Sequence, residues 1–284
     1  YGHLHASSFE GSITTTVGGS DQAGGLAVST SGGSSISNSY ASGTINSPGT
    51  FGGLVATNSG RIETSWAAMG SSSYGAGIAA INRGQIWSSV FWDKDLSRSS
   101  SGVYFNYGTF SAVGLTTAQA RSASSYAGFD FTDAWYQSGD LRPILRSEMV
   151  TQDGVGQIFN IRQLQLMDAN RAGSYALIAD IDAGATAGTD AAGIWSAGGF
   201  IAIADTAAYS DSGFSGTFDG KGRAITGFNQ GASNVAGFGR QAMFSTVSGT
   251  IQNVSIAGNI VSDKDSTSAL VGLLYNEGTV RNVL

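Results

Sequence analysis

Short segments in the first third of the chain alternate apolar and polar residues, and Gly-rich turns separate them. This two-residue period is typical of β-strands and not of helices. We expect three such segments to present one face each: Ile36, Asn38 and Tyr40; Ile62, Thr64 and Trp66; Ile86, Ser88 and Val90. The intervening Asn-Ser-Gly and Asn-Arg-Gly predict turns, because asparagine and glycine tolerate left-handed backbone.

The segments belong to a repeat with a fixed offset. Four pairs of similar residues lie 24 positions apart: Leu54 and Ile78, Asn58 and Asn82, Gly60 and Gly84, Ile62 and Ile86. An earlier copy, with Leu26 and Ile36, is two residues longer between these positions. Repeats of this length bury their apolar faces on one another.

The fold class predicted from this repeat is all-β, a right-handed parallel β-helix (solenoid) with a mixed α/β connector or cap between repeat blocks. About 24 residues with two or three short strands fit one coil of such a helix. Stacked coils would bring equivalent residues into ladders. A sandwich or barrel is the alternative for many short strands, but neither requires a constant offset.

We divide the chain into four segments. The β-helix repeats span residues 1–108, and an aromatic-rich connector or cap spans 109–147. Residues 148–204 open the next block with a short helix, and 205–284 return to β-helix repeats that run off the end. Neither terminus resembles a natural one, so we expect a section of a much longer protein.

Several elements are predicted outside the first array. Thr117 precedes Ala-Gln-Ala and predicts a capped helical turn, and residues 158–169 form the best helix candidate. We predict buried strands at 175–182 and 200–203, a strand–turn–strand at 214–225 and an alternating strand at 251–256.

Composition narrows the function classes. Glycine is 42 of 284 residues and proline only 2, while 41% of the residues are hydrophobic, which suits a folded chain with many tight turns. The net charge is −6, and there is no basic stripe, so we expect no nucleic-acid partner. Cysteine is absent, which excludes disulfides and thiolate sites.

Residues 52–70, Gly-Gly-Leu-Val through Asn-Ser-Gly-Arg-Ile to Ser-Trp-Ala-Ala-Met-Gly, resemble the GLUG motif. This motif occurs in large secreted bacterial proteins, including filamentous-haemagglutinin-like adhesins and the non-catalytic part of some IgA-protease-like proteins. Six further segments are similar to those that follow GLUG arrays: residues 91–93, 114–119, 142–145, 175–182, 199–203 and 216–222. The third repeat departs from the motif, because Gly75-Ala76-Gly77-Ile78 lacks the double glycine.

The resemblance implies a scaffold without catalytic residues. It also implies secretion across an outer membrane, often by a two-partner route with an outer-membrane secretion partner, and a place outside the cell or on its surface. The implied role is adhesion or contact with a biofilm matrix. We therefore expect a non-catalytic section of a large adhesin or surface filament, with an inert stalk or a polysaccharide-active β-helix enzyme as alternatives.

Residues suited to catalysis are few. The two histidines, His3 and His5, lie near the start, and no serine nucleophile motif is present. A polysaccharide-active enzyme would need paired carboxylates. We interpret the available pairs as turn residues: Asp93/Asp95, Asp130/Asp133, Asp180/Asp182 and Asp263/Asp265. No catalytic residue, cofactor site or metal site is predicted.

The aromatic residues are the candidates for ligand contact. Tyr40 and Trp66 occupy one slot of successive repeats, with Val90 third, and we expect them to point inward with the isoleucines. Trp87 falls on the opposite face of its predicted strand, so it is the better candidate for an exposed residue. The candidate glycan contacts are Trp87, Phe91 and Trp92. The expected partners are polysaccharides or glycans of host or bacterial surfaces, and lateral self-association of the chain is compatible with its low charge.

Overall fold

The computed structural model describes residues 2–16, 18, 21–71, 75–97, 99–205, 213–231 and 240–284. It is mostly strand (48%) with little helix (8%), so the chain is all-β with parallel sheets. The chain forms two compact units. Unit 1 comprises Tyr1–Trp135 with Asp190–Ile194, and unit 2 comprises Tyr136–Thr189 with Trp195–Leu284.

Unit 1 contains three main parallel sheets, and each takes one strand from successive repeats. Sheet 1 consists of His3–His5, Ser35–Ser37, Arg61–Glu63, Gln85–Ile86 and Thr109–Phe110. Sheet 2 consists of Ser8–Thr14, Tyr40–Asn46, Ser65–Gly70, Val90–Asp93 and Val113–Leu115. Sheet 3 consists of Ala27–Ser29, Val55–Asn58, Ala79–Asn82 and Val103–Asn106. A further parallel pair joins Gln22–Gly24 and Thr50–Gly52.

The register predicted from the repeat is confirmed. Asn82 pairs with Asn58 on one side and with Asn106 on the other, and Ile86 pairs with Ile62. The Leu54 amide donates to the Ile78 carbonyl at 2.9 Å. Identical residues therefore stack because one repeat places one strand in each sheet.

The core of unit 1 is built from these stacked positions. The isoleucine column of sheet 1 is fully buried, and so are Leu54 and Ile78. The core cluster joins Ile36, Ile62 and Ile86 of sheet 1 to residues of sheet 2, namely Ala41, Ala67 and Trp92. Burial of these side chains supplies the main stabilising free energy of the unit.

Tyr40 and Trp66 are buried, but not on the expected face. Their rings stack at 4.6 Å with an interplanar angle of 7°, and Tyr40 also contacts Trp135. Neither belongs to the isoleucine core cluster. Two left-handed residues, Asn38 (φ 45°) and Thr64 (φ 41°), precede them and interrupt the alternation that the sequence pattern assumes. The shared face predicted from parity is therefore wrong.

Tyr40 and Trp66 form the start of a column of stacked residues, and its third member is Phe91 and not Val90 as predicted. Trp66 pairs with Phe91, whereas Val90 pairs with Ser65. Phe91 contacts Tyr126 and Phe129 at centroid distances of 5.1 and 5.6 Å, and Phe129 stacks on Trp135 at 4.5 Å. The aromatic residues after the array thus cover the column that begins at Tyr40.

The helical turn before this aromatic segment is a 3₁₀ turn at Gln119–Arg121, followed by another at Ala123–Ser125. The cap predicted at Thr117 is wrong. Thr116 accepts from the Gln119 amide at 3.2 Å, and the Gln119 side chain accepts from the Thr116 amide at 2.9 Å.

Unit 2 is organised around a second, mostly parallel sheet. Its strands are Val150–Gln152, Val155–Ile158, Ser174–Leu177, Ile181–Asp182, Thr217–Gln230, Thr250–Ile260 and Thr279–Val283. Only the first pair is antiparallel. Two small parallel pairs join Arg240–Gln241 to Ser266–Thr267 and Phe244–Val247 to Val271–Leu274. Two-residue strands lie at Trp135–Tyr136 and Ile144–Leu145.

The helix predicted at residues 158–169 is shorter than expected. The α-helix spans Ile161–Leu166 and continues as a 3₁₀ turn over Met167–Ala169. Asn160 caps it by accepting from the Gln163 amide at 3.0 Å. Further 3₁₀ turns lie at Arg146–Glu148 and Gly184–Ala187. Within the described residues, no helix is both long and apolar enough to span a bilayer.

The strand predicted at residues 200–203 is wrong, although its side chains are buried. Its amides bond to three unrelated partners: Phe200 donates to the Asn229 carbonyl, Ile201 to the Gln165 side chain and Ile203 to the Met243 carbonyl. No single neighbour provides a ladder, so only an isolated bridge forms at Ile203. The strand–turn–strand predicted at 214–225 is instead one strand with an irregularity between Asp219 and Arg223.

Candidate ligand-contact surface

The three aromatic residues predicted to contact glycans have different environments. Trp87 is 45% exposed, whereas Phe91 and Trp92 are only 2% and 6% exposed. Phe91 lies under Tyr126 and Phe129, and Trp92 belongs to the core of unit 1. A sugar ring cannot reach either face of these two buried side chains, so their predicted role is wrong. The prediction for Trp87 remains.

Three further aromatic side chains are exposed in the last coil of the array: Tyr104 (64%), Phe105 (45%) and Tyr107 (69%). Tyr104 and Phe105 meet edge to face at 4.7 Å in the strand Val103–Asn106. We call Trp87, Tyr104, Phe105 and Tyr107 the aromatic surface. The name covers four separately exposed side chains, and exposed aromatic rings mark candidate contact positions.

The strand register explains why these residues point outward. Ile86 and Asn82 are buried in the stacked core, so the neighbouring Trp87 projects away from it. Thr109 pairs with Gln85, and Tyr107 precedes Thr109 by two residues. The Tyr107 amide donates to the Asn82 carbonyl at 2.7 Å, which fixes the turn that carries its ring.

Two arginines lie over these rings. The Arg61 Cζ atom is 4.3 Å from the centroid of Trp87, and the Arg83 Cζ atom is 5.6 Å from the centroid of Tyr107. Each distance is within the range of a cation–π contact, worth about 0.5–1 kcal/mol at an exposed site. Arg61 also forms an ion pair with Glu63. Within the described part of the chain, Arg83 forms no ion pair with a carboxylate.

A polar groove of about 420 Å³ lies on sheet 1, and one of its lining residues is Arg61, which lies over Trp87. Its lining includes His3, Ser34, Ser35, Arg61, Glu63 and Gln85. The His3 Nδ1 atom lies 2.8 Å from the Ser35 hydroxyl, and His5 Nδ1 lies 2.9 Å from the Ser37 hydroxyl. Parallel pairing places these side chains in rows, so the groove presents donors and acceptors suited to a hydroxyl-rich ligand.

Sequence reasoning missed Tyr104, Phe105 and Tyr107. A usable signal was present, because Asn106 lies 24 residues after Asn82 and extends the repeat by one more coil. The three aromatic residues surround this asparagine. In the preceding coils, Ile81 and Arg83 occupy the positions equivalent to Phe105 and Tyr107. The aromatic residues therefore replace smaller or charged residues on an outward position of the repeat.

The acid pairs that could carry catalysis bond to turns. Asp93 accepts from the amides of Asp95 and Leu96 at 3.1 and 3.2 Å, and Asp130 accepts from Thr132 and Asp133 at 2.8 and 3.1 Å. In the third pair, Asp182 accepts from the Gly184 amide of a turn, whereas Asp180 accepts from the Ala224 amide in the strand Thr217–Gln230. Across the residues that the structure describes, no group of three or more histidine and acidic side chains could hold a metal ion.

Unit 2 contains a buried tyrosine–aspartate cluster. Asp168 accepts from the Tyr136 hydroxyl at 2.9 Å, from Arg171 at 2.9 Å and from the Ala204 amide at 2.8 Å. Burial, with the nearby Asp168 charge, raises the pKa of Tyr136 well above its usual value and that of Tyr175 to about 12. Both phenols stay protonated at neutral pH, so the cluster is a structural support and offers no phenolate nucleophile.

Asp219 is the carboxylate with the clearest pKa shift. Its partial burial alone would raise the pKa, but hydrogen bonds from Asn253, Lys221 and Gln252 outweigh burial and lower the pKa to about 2. The Asn253 and Gln252 side chains each donate at 3.0 Å, and the Lys221 amide donates at 2.9 Å. Asp219 thus ties the irregular segment of its own strand to the next strand.

We expect the stability of unit 2 to depend on pH through Asp219. Because its folded pKa of about 2 lies below the ordinary value of 3.8, ionised Asp219 stabilises the fold above pH 4. This contribution is lost as the pH falls from 4 toward 2. Urea unfolding followed by circular dichroism from pH 5 to pH 2 should show a smaller loss of stability in Asp219→Asn than in the wild type. Asp265→Asn, at an exposed position, is the control. Equal pH dependence in Asp219→Asn and the wild type would contradict the assignment.

No family model matches the chain. No solved structure matches it at a significant level. The chain is similar to halomucin of Haloquadratum walsbyi, with 27% identity over 194 residues that cover 62% of this chain and 2% of that protein. The chain therefore spans only a small part of the curated relative that it matches.

Proposed function

We propose that unit 1 is a right-handed parallel β-helix and that the chain is a non-catalytic section of a large secreted or cell-surface adhesin or filament. The support for the fold is the pairing of successive repeats in three parallel sheets at a fixed register. The resemblance to GLUG repeats supports the same architecture. The similarity to a small part of halomucin agrees with a segment of a very long protein.

The observation that supports the adhesive role is the aromatic surface, which lies on or beside paired strands of successive repeats. Trp87 and Tyr107 are 45% and 69% exposed, and parallel hydrogen bonds between neighbouring strands hold the backbone that carries them. Sugar rings present apolar faces that stack on such aromatic rings, while the polar groove on sheet 1 offers partners for hydroxyl groups. A long array with many weak sites of this kind would bind a polysaccharide multivalently.

Retention on immobilised polysaccharides tests this function. We expect the chain to be retained by at least one polysaccharide of a bacterial and host panel, without release of new chain ends. Trp87→Ala should weaken retention about tenfold, because a stacked aromatic residue is often a dominant contact. Phe159→Ala is the matched control, since Phe159 is 48% exposed but lies in unit 2.

The two alternatives give different results in this experiment. Release of chain ends would overturn the non-catalytic assignment in favour of a polysaccharide-active enzyme. Absence of retention on the whole panel would overturn the adhesive role and favour an inert stalk. Equal loss of retention in Trp87→Ala and Phe159→Ala would remove the aromatic surface from the proposal.

A further inference from the structure

We propose that the aromatic surface binds an acidic polysaccharide, a chain of sugars that carry carboxylates, with Arg83 as the residue that binds the carboxylate. This inference rests on the proposed function and specifies its ligand class. Sugar rings would stack on the parts of Trp87 and Tyr107 that Arg61 and Arg83 leave exposed, and the Arg83 guanidinium would donate two hydrogen bonds to one carboxylate. Arginine suits this role because its planar donor fork matches a carboxylate.

The two arginines that lie over these rings differ in their ion pairing. Arg61 lies over Trp87 but already bonds to Glu63 through two of its guanidinium nitrogens. Arg83 lies over Tyr107 and, in the described part of the chain, has no carboxylate partner. The aromatic surface therefore holds one neutralised arginine and one positive charge that is available to an anionic ligand.

The net charge of the whole chain restricts where an acidic ligand can bind. With a net charge of −6, the protein repels an acidic polymer at long range and offers no general electrostatic attraction. An acidic ligand can bind only where a local cation lies beside groups that contact its sugar rings. Among the exposed large apolar side chains, the aromatic surface combines both features, because arginines lie directly over two of its rings.

The polar groove on sheet 1 offers hydrogen-bonding groups to the sugar chain. The groove on sheet 1 begins at Arg61 and Gln85 and continues along the serine row to His3. Its side chains offer hydroxyl, amide and imidazole groups within one continuous row of the sheet. A sugar chain that stacks on Trp87 can therefore place its hydroxyl groups in this groove while Arg83 holds a carboxylate at the other side of the turn.

Calorimetric titration with oligogalacturonate and with its methyl ester tests the ligand class. The two ligands share their sugar rings and differ in the carboxylate charge. We expect oligogalacturonate to bind more tightly than the ester, and Arg83→Gln to weaken its binding about tenfold, as loss of a charge-assisted bond does. Arg223→Gln, at an exposed arginine of unit 2, is the matched control and should leave binding unchanged.

The outcomes separate this inference from the proposed function. Equal binding of acid and ester, insensitive to Arg83→Gln but lost in Trp87→Ala, would overturn the acidic ligand and keep the glycan surface. Retention on neutral polysaccharides alone would do the same. Failure to bind any polysaccharide would overturn both. Concentration-dependent dimers in sedimentation that Tyr107→Ala abolishes would instead make this surface an interface between two copies of the chain.

Discussion

Replacement of Gly84 by alanine is expected to lower the free energy of unfolding of unit 1 by about 3 kcal/mol or more. A Cβ atom at this position would lie 2.0 Å from the Gly60 carbonyl oxygen and 2.8 Å from the Gly60 nitrogen. Both atoms belong to the backbone of the preceding coil and cannot rotate away. The substitution would therefore separate strands that the Gln85 amide joins to the Gly60 carbonyl at 2.8 Å.

The matched control for Gly84→Ala is Gly32→Ala. Gly32 belongs to the same unit, and a Cβ atom there would meet no atom within 4 Å. Urea unfolding followed by tryptophan fluorescence is a suitable measurement, since four of the five tryptophans lie in unit 1. Equal stabilities of the two variants would contradict the close stacking of Gly84 on Gly60.

Replacement of Asn82 by alanine is expected to cost about 3 kcal/mol of stability, because it leaves buried polar groups without partners. The Asn82 side chain accepts from Asn58 at 2.9 Å and from the Gly84 amide at 3.2 Å. It donates to Asn106 at 2.7 Å and to the Thr109 carbonyl at 3.1 Å. This fully bonded asparagine ladder runs through three coils, and Asn82 is its central member.

Asn106→Ala is the control for the ladder. Asn106 lies at the exposed end, and its removal takes one acceptor from Asn82, which keeps its bond to Thr109. We expect this variant to lose less than about 1 kcal/mol. The same fluorescence measurement applies. A loss in Asn106→Ala as large as that in Asn82→Ala would contradict the central position of Asn82 in the ladder.

The repeat offset predicts the register of unit 1 because stacking acts on pairs of equivalent residues. Asn58, Asn82 and Asn106 bond side chain to side chain, and the isoleucine column fills one continuous core. Equivalent residues of successive repeats pair in parallel strands, so a constant spacing in the sequence becomes a constant register in space.

The side-chain faces were less predictable, because they depend on single backbone dihedrals. Thr64 adopts a φ of 41°, which is rare for a β-branched residue, and this turn separates the faces of Ile62 and Trp66. The alternation of apolar and polar residues does not show which residue adopts a left-handed φ. Trp87 is predicted from the sequence, but Tyr104, Phe105 and Tyr107 are not, because they become candidates only after Asn106 is recognised as a member of the ladder.

The stacked register of unit 1 is tested most directly by disulfide formation, since the natural chain contains no cysteine. Arg61 and Gln85 are partners in adjacent parallel strands, whereas Arg61 and Thr109 are separated by one strand. Adjacent strands lie about 4.8 Å apart, and a disulfide requires Cα atoms within about 7 Å. The register predicts rapid oxidation to a disulfide in Arg61→Cys/Gln85→Cys and none in Arg61→Cys/Thr109→Cys. Equal oxidation of both pairs, or of the second pair alone, would contradict the stacking on which the proposed function depends.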